Sequence, residues 1–258
     1  MRTVLTGAGG GIGYATARAL AGRPDAKLVI ADRNAERRTS NAQSLRQLGA
    51  EVVVIGGDLA DPTAPAAIVE TAIEAFGGID AIVSNAGSIG NAAELKALSL
   101  EAFEASFQIN TRPTFLLAQA AYPYLRESRG TLVAVSSTAA RHPVPNLGTY
   151  SSSKAALVML ARQMALEWGP DGIRVNCVSP GPTATPMAPV YADPDIRRQR
   201  ASTLPLRRIT EPEEIAAAIL FLLGPGAAGI TGIDLQIDCG MGLTTMQLSG
   251  SGLNRPGD

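Results

Sequence analysis

Tyr150 and Lys154 stand four residues apart near the start of a helical pattern that runs to about Trp168, so both side chains lie on one face within reach of each other. A phenol ionises near pH 10, and proton transfer near neutrality needs that value lowered by roughly 2 to 3 units, about 3 to 4 kcal/mol. An adjacent ammonium supplies part of this. Alone, the spacing describes an ordinary solvated helical pair. Upstream, however, an apolar run at 132–135 ends in Ser136-Ser137, and the 13 positions from Ser137 to Tyr150 let a loop return beside the strand end. Ligands of open α/β sheets bind outside the carboxyl ends of strands, so Ser137 is expected to share a crevice with the Tyr150 helix.

A second cluster lies at the amino end. Val4-Leu5 runs into Thr6-Gly7-Ala8-Gly9-Gly10-Gly11-Ile12-Gly13, and an Ala-rich helical stretch follows over 14–21. Such glycines let the backbone turn tightly and approach a pyrophosphate, while the helix start presents free N–H groups to the anion. A loop that merely turns would need nothing more, but the next strand pattern, 28–31, ends at Asp32, 19 positions after Gly13. A carboxylate there accepts hydrogen bonds from both ribose hydroxyls and repels a 2′-phosphate, which favours NAD over NADP. Arg33 and Arg37 offer a phosphate an alternative. Behind Asp32 they are read first as solvated charges opening the next helix.

Both clusters need a frame. Apolar, β-branched runs recur at 3–6, 28–31, 52–55, 81–84, 132–136, 175–179 and 233–237, separated by longer Ala/Leu/Arg/Glu-rich stretches. Continuously apolar strands suit a sheet covered on both faces, and long helical connections suit parallel pairing. The expected fold is α/β: a single-domain, doubly wound Rossmann arrangement with a seven-stranded parallel sheet flanked by helices. Asp61-Pro62 marks a helix start, Glu211-Pro212-Glu213-Glu214 another, and Gly169-Pro170 a stop. Residues 1–242 form the domain, with 186–208, rich in Pro and Arg, as a long loop or lid over the substrate, and 243–258 as a polar carboxyl-terminal extension.

In chain order, Thr6–Gly13, Asp32, Asp58-Leu59, Asn85-Ala86-Gly87, Asn110, Ser137, Tyr150-x-x-x-Lys154, Arg174-Val175-Asn176 and Pro180-Gly181-Pro182-Thr183 resemble the short-chain dehydrogenases/reductases, in their compact branch of about 250 residues. The resemblance covers about 3–242. It implies that Tyr150 exchanges a proton with a substrate hydroxyl or carbonyl and that Ser137 hydrogen-bonds the same oxygen. Lys154 would bind the nicotinamide ribose and depress the Tyr150 pKa, and Asn110 would hold the water of a proton relay. The cofactor would rest on Gly7, Gly9, Gly11, Ile12, Gly13, Asp32 and Arg33, with Asp58 at the adenine and Leu59 beside it. Asn85, Ala86 and Gly87 would line it, Pro180 and Gly181 would flank it, and Thr183 would meet the carboxamide. Hydride would pass directly between carbon and nicotinamide, with no metal. Relatives are commonly homotetramers, paired through helices that here would be about 112–127 and 151–167, the second offering Ala155, Val158, Met159 and Met164.

The chain departs from the family pattern at Cys239 and Arg207, each where glycine is usual. Arg207 and Arg208, with Arg197, Arg198 and Arg200, put five guanidiniums in or near the lid, which suits a carboxylate or acyl-thioester substrate or, more plainly, a solvated helix with ion pairs. His142, the only histidine, lies in the loop returning to Tyr150 and is a candidate pocket residue with Met187 and Tyr191 of the lid.

The remaining composition excludes other classes. With 22 basic and 23 acidic side chains the net charge is −1, which gives no general attraction to nucleic acid or anionic membranes. The apolar run 216–223 is far short of the roughly 18 residues a membrane span needs. Two cysteines, 177 and 239, fit neither a disulfide framework nor a zinc site, and the first residues enter a strand pattern with no apolar signal region, so a cytoplasmic setting is expected. The expectation is an NAD-dependent oxidoreductase interconverting a small secondary alcohol and a ketone. The alternatives are an NADPH-dependent 3-oxoacyl-thioester reductase, from the lid arginines and Arg33, and a non-catalytic dinucleotide-binding sensor.

Overall fold

The structure, a computed structural model, describes residues 1–244. The apolar runs form seven strands: β1 (Arg2–Thr6), β2 (Lys27–Ala31), β3 (Glu51–Ile55), β4 (Ala81–Ser84), β5 (Thr131–Val135), β6 (Arg174–Pro180) and β7 (Asp234–Ile237). The stretches between them hold the α-helices: α1 (Gly11–Ala21), α2 (Ala35–Gln47), α3 (Ala64–Phe76), α4 (Leu100–Asn110), α5 (Arg112–Ser128), α6 (Gly148–Trp168), α7 (Pro194–Ser202) and α8 (Pro212–Leu223). All strands pair in parallel in one sheet of order β3-β2-β1-β4-β5-β6-β7. The chain therefore reverses its winding between β1 and β4. The crevice that opens there, beyond the carboxyl ends of the strands, is where an open α/β sheet receives its ligand.

Strand side chains alternate between two cores. Leu5, Leu28, Ile30 and Val83 pack with Leu20 of α1, Leu45 of α2 and Ile219 of α8 on one face. Val4, Val29, Ile82 and Leu132 pack with Ile68 of α3, Leu117 of α5 and Leu157 of α6 on the other. Burying each such Leu or Ile contributes about 1.5–3 kcal/mol. Helices on both faces thus account for strands that are apolar throughout.

Two local expectations are adjusted and one holds. The helix after Asp61-Pro62 begins at Ala64, because the Asp61 carboxylate is taken by the N–H and hydroxyl of Thr63, both at 2.8 Å, in a turn that precedes the helix. At Glu211 the start is as expected: Pro212 opens α8, and the Glu211 N–H donates to the Glu214 carboxylate at 2.9 Å. Inside 186–208 the chain is partly helical. Asp193 Oδ1 accepts from the N–H groups of Asp195 (2.8 Å) and Ile196 (3.3 Å), and Pro194 sets the first helical φ of α7.

On α6, Val158 and Met164 are buried in this chain's own core, whereas Ala155 and Met159 face outward. Only the latter two are open to a pairing partner. Of the 243–258 extension, Leu243 ends a short turn and Thr244 follows; residues 245–258 lie outside the described residues. Among the described residues no helix is long and apolar enough to cross a membrane.

Candidate active site

The crevice is a single cleft of about 830 Å³, towards the upper end of small-molecule sites. Its floor at the β1 end is the glycine loop. Asp32, at the end of β2, reaches across to it: Oδ2 accepts from the Gly9 N–H at 2.8 Å and Oδ1 from the Asn34 N–H at 2.9 Å. A Cβ on Gly9 would stand 2.6 Å from that carboxylate, so only glycine admits this approach. The loop is fixed from β4 as well. Asn85 Nδ2 donates to the carbonyls of Thr6 (3.1 Å) and Gly7 (3.0 Å), while Thr6 Oγ1 accepts from the N–H groups of Asn85 (3.1 Å) and Ala86 (3.2 Å). The cradle, with a helix start above it and a carboxylate at its rim, has the donor set and shape of a dinucleotide site.

Of the residues expected to bind the cofactor, all but Gly13 line the cleft. Gly13 acts one layer below. A Cβ there would collide with the Gly7 carbonyl and stand 2.5 Å from Asn85 Nδ2, so its role is to let α1 pack against the loop. Arg33 and Arg37 also line the cleft near Asp32.

At the β5 end stand Ser137, Tyr150 and Lys154, all lining the same cleft. Ser137 stands two residues beyond the end of β5, and its Oγ accepts from the Ala139 N–H at 3.1 Å, which holds the hydroxyl oxygen in place. Tyr150 lies in the first turn of α6, and Lys154, one turn on, is 4% exposed. The Lys154 ammonium donates to the Val135 carbonyl at 2.8 Å and lies 5.9 Å from the centre of the Tyr150 ring. Burial pushes the Lys154 pKa down to about 8. Burial also raises the Tyr150 phenol above its ordinary value, an effect that hydrogen bonding with Ser137 opposes. In the chain alone burial outweighs that hydrogen bond, so the phenol stands above its ordinary value.

Besides Gly13, two expected site residues do not line the cleft. The Asn110 side chain is tied down: Oδ1 accepts from the Ser88 N–H at 2.8 Å, and Nδ2 donates to the Ser88 carbonyl (2.9 Å) and Ser153 Oγ (3.0 Å). That amide clamps the loop after β4 to α6. His142 lies in the loop beyond Ser137, with its N–H donating to the Thr138 carbonyl at 2.9 Å and its ring against Gly242. Met187 and Tyr191 do line the cleft.

The sequence reading missed Ile109, Val144 and Leu147, which line the apolar end with them, and Met241 from the segment after β7. Val144 and Leu147 stand only six and three residues before Tyr150, a proximity that was available as a signal; nothing in the sequence marked Met241.

The five arginines disperse. Arg197 pairs with Glu211, Arg198 with Asp195, and Arg208 with Glu214 at 2.6 Å, while Arg207 donates to the Ser202 carbonyl. Only Arg200 lines the cleft. Arg207 and Cys239 have φ of 54° and 56°, the left-handed region that glycine occupies without strain. Cys239 is buried against Leu204 and Ile209, under the lid.

Residues 7–242 match the family described as enoyl-(acyl carrier protein) reductase. A cis-4-hydroxycyclohexanecarboxylate dehydrogenase of Sinomonas cyclohexanicum is 35% identical over 238 residues, covering 92% of this chain and 94% of that one. A 7α-hydroxysteroid dehydrogenase complexed with NADH and 7-oxo glycochenodeoxycholic acid superposes with a TM-score of 0.87 at 31% identity, covering 92% of each chain. A short-chain dehydrogenase from Burkholderia cenocepacia in complex with NADP superposes with a TM-score of 0.85 at 35% identity, covering 93% of this chain and 97% of that one.

Proposed function

We propose, from the premise that this chain belongs to the short-chain dehydrogenase/reductase family and is an NAD(P)-dependent oxidoreductase of CH–OH donors, that it uses NAD to interconvert a secondary alcohol and a ketone with Tyr150 as general acid/base. The observation that carries this is one cleft with Asp32 on the glycine loop at one end and Ser137, Tyr150 and Lys154 at the other. When bound, the nicotinamide supplies the acceptor or donor of the hydride. The Tyr150 phenol oxygen takes the proton from the alcohol oxygen in oxidation and returns it in reduction. Ser137 Oγ donates to that same oxygen as its charge grows. Lys154 holds the nicotinamide ribose and, as an ammonium, favours the phenolate. Gly7, Gly9, Gly11 and Ile12 hold the pyrophosphate, Asp58 and Leu59 the adenine end, and Pro180, Gly181 and Thr183 the carboxamide end. Asn110, held by Ser88 and Ser153, would position the water of a proton relay.

Asp32 argues for NAD. Its carboxylate, held at the glycine loop, would accept hydrogen bonds from the ribose hydroxyls and repel a 2′-phosphate. Arg33 and Arg37 favour NADP as the second reading, since both line the cleft. The acyl-thioester alternative keeps Arg33 and Arg200, which line the cleft, while three of the five lid arginines behind it are ion-paired. A sensor without chemistry has no reason to keep Ser137, Tyr150 and Lys154 together. Homotetramer assembly in the cytoplasm completes the proposal, with Phe115 of α5 and Met159 and Leu166 of α6 exposed for pairing.

The test is absorbance of reduced nicotinamide when purified protein meets NAD and a panel of secondary alcohols. Tyr150→Phe, with folding checked by circular dichroism, should lower kcat/KM by about 10²–10⁴. Full turnover in that variant would refute the mechanism, and NAD binding without turnover across the panel would establish the sensor.

A further inference from the structure

The lid helix α7 carries three arginines whose surroundings differ. Arg197 and Arg198 are matched by Glu211 and Asp195. Arg200, by contrast, has no carboxylate partner among the described residues. It lines the cleft; its Nη2 meets the Met241 sulfur at 3.7 Å, and its Nε is buried with no hydrogen-bond partner. A guanidinium has five N–H donors, and a thioether is a weak acceptor. A buried donor without an acceptor is costly, so a side chain held this way is poised for an acceptor that arrives with a ligand.

The neighbours indicate which ligand. Thr185 and Pro186, where the lid begins, pack on Gly10 and Gly11, at the helix amino end that would take the pyrophosphate. Arg200 lies towards the other end of the lid, against Met241, and the segment 240–242 continues from there onto Pro205 and His142, in the loop just after Ser137. It therefore faces the substrate end. Met241, which Arg200 meets, packs with Tyr191, Leu204 and Ile209, and the same cleft is lined by the apolar Met187, Ala188, Val144 and Leu147. One cation set in an apolar wall matches a molecule with an apolar body and a single anionic group.

We propose that Arg200 is a specificity-determining residue that binds the carboxylate of a hydroxy-acid substrate, at the opposite end of its apolar body from the carbon that reacts. This rests on the secondary-alcohol reading above. Planar carboxylate and planar guanidinium form paired charge-assisted hydrogen bonds, a geometry that a neutral amide or ester does not reproduce.

Non-reactive probes test it without turnover. Cyclohexanecarboxylate, benzoate and hexanoate, each beside its carboxamide, are titrated calorimetrically into the NAD-loaded protein. The wild-type chain should bind the acids at least about tenfold more tightly than the amides, and Arg200→Gln should bring that ratio to within about threefold of unity. Arg197→Gln, which removes the same charge from the same helix, should keep it. No acid preference in the wild type, a preference that survives Arg200→Gln, or an equal loss in Arg197→Gln would each overturn the inference. So would an equal weakening of NAD in Arg200→Gln, which would assign the guanidinium to the cofactor. A parallel turnover assay separates the two proposals. Neutral alcohols oxidised as well as hydroxy acids would sink the carboxylate site alone, whereas acid-selective binding with no alcohol turned over would sink the catalytic reading alone.

Discussion

Lys154→Met should stabilise the cofactor-free protein at pH 7 while abolishing its turnover. The ammonium is 4% exposed, and burial moves its pKa from 10.5 to about 8. At 1.36 kcal/mol per unit, that shift is about 3 kcal/mol of folding free energy lost to keeping a charge out of water. Methionine preserves the packing of the stem and removes the charge. It also removes the donor to the Val135 carbonyl, a loss of about 1 kcal/mol, which leaves a net gain of about 2 kcal/mol. In a chain of this size that corresponds to roughly 4–8 °C in Tm. The pH dependence fixes the sign. The folded-state pKa lies below the unfolded one, so between pH 8 and 10.5 the unfolded chain binds more protons and wild-type stability rises with pH. The variant's advantage is therefore complete below about pH 8 and falls through this window. Above about pH 10.5 only the lost hydrogen bond remains, and the difference changes sign. Urea unfolding of both proteins at pH 7 and pH 10.5, at one protein concentration and without cofactor, measures this. Destabilisation at pH 7, or a difference that ignores pH, would refute the reasoning.

Two further outcomes follow from the geometry. Asp32→Asn keeps an acceptor for the Gly9 and Asn34 N–H groups but removes the charge. At about 1 kcal/mol per unit charge at contact distance in water, repulsion of a dianionic 2′-phosphate amounts to about 2 kcal/mol, so the ratio of kcat/KM for NAD to that for NADP should fall about 30-fold; an unchanged ratio would show that Asp32 does not select the cofactor. Arg207→Gly should raise the urea midpoint by the equivalent of about 0.5–1 kcal/mol, because an exposed non-glycine residue at φ 54° holds left-handed strain, and a lower midpoint would contradict this.

What could be read from the sequence was whatever local chemistry decides. Strand positions follow from apolar runs, and each observed strand begins and ends within two residues of its expected place. The glycine loop and Asp32 were legible because a helix start, a tight turn and a carboxylate after the second strand form one short-range unit. The α7 start was also on the page, in Asp193-Pro194, but the surrounding prolines drew the reading towards a loop. Asn110 and the lid arginines were not legible in this way. The engagement of Asn110 depends on Ser88 and Ser153, which arrive from elements 22 and 43 residues away. Which guanidinium remains uncommitted depends on where α7 meets the start of α8, and no spacing in the chain encodes that. The same holds for the glycine-to-arginine departure at 207: the substitution was visible, but the positive φ that it must adopt was not.

The hardest part to foresee was electrostatic. A tyrosine beside a lysine suggests a phenol already made acidic by its neighbour, yet here burial disfavours the charged form of both groups. The consequence is reciprocal. A phenolate formed on Tyr150 would favour the protonated form of Lys154, and a protonated Lys154 would favour the phenolate, so each ionisation lowers the cost of the other. Burial thus works against the state in which both groups are charged, and further charge entering the cleft would offset it. This arrangement ties proton transfer at Tyr150 to occupancy of the site, and it explains why a lysine that costs the fold about 3 kcal/mol is kept where methionine would pack as well.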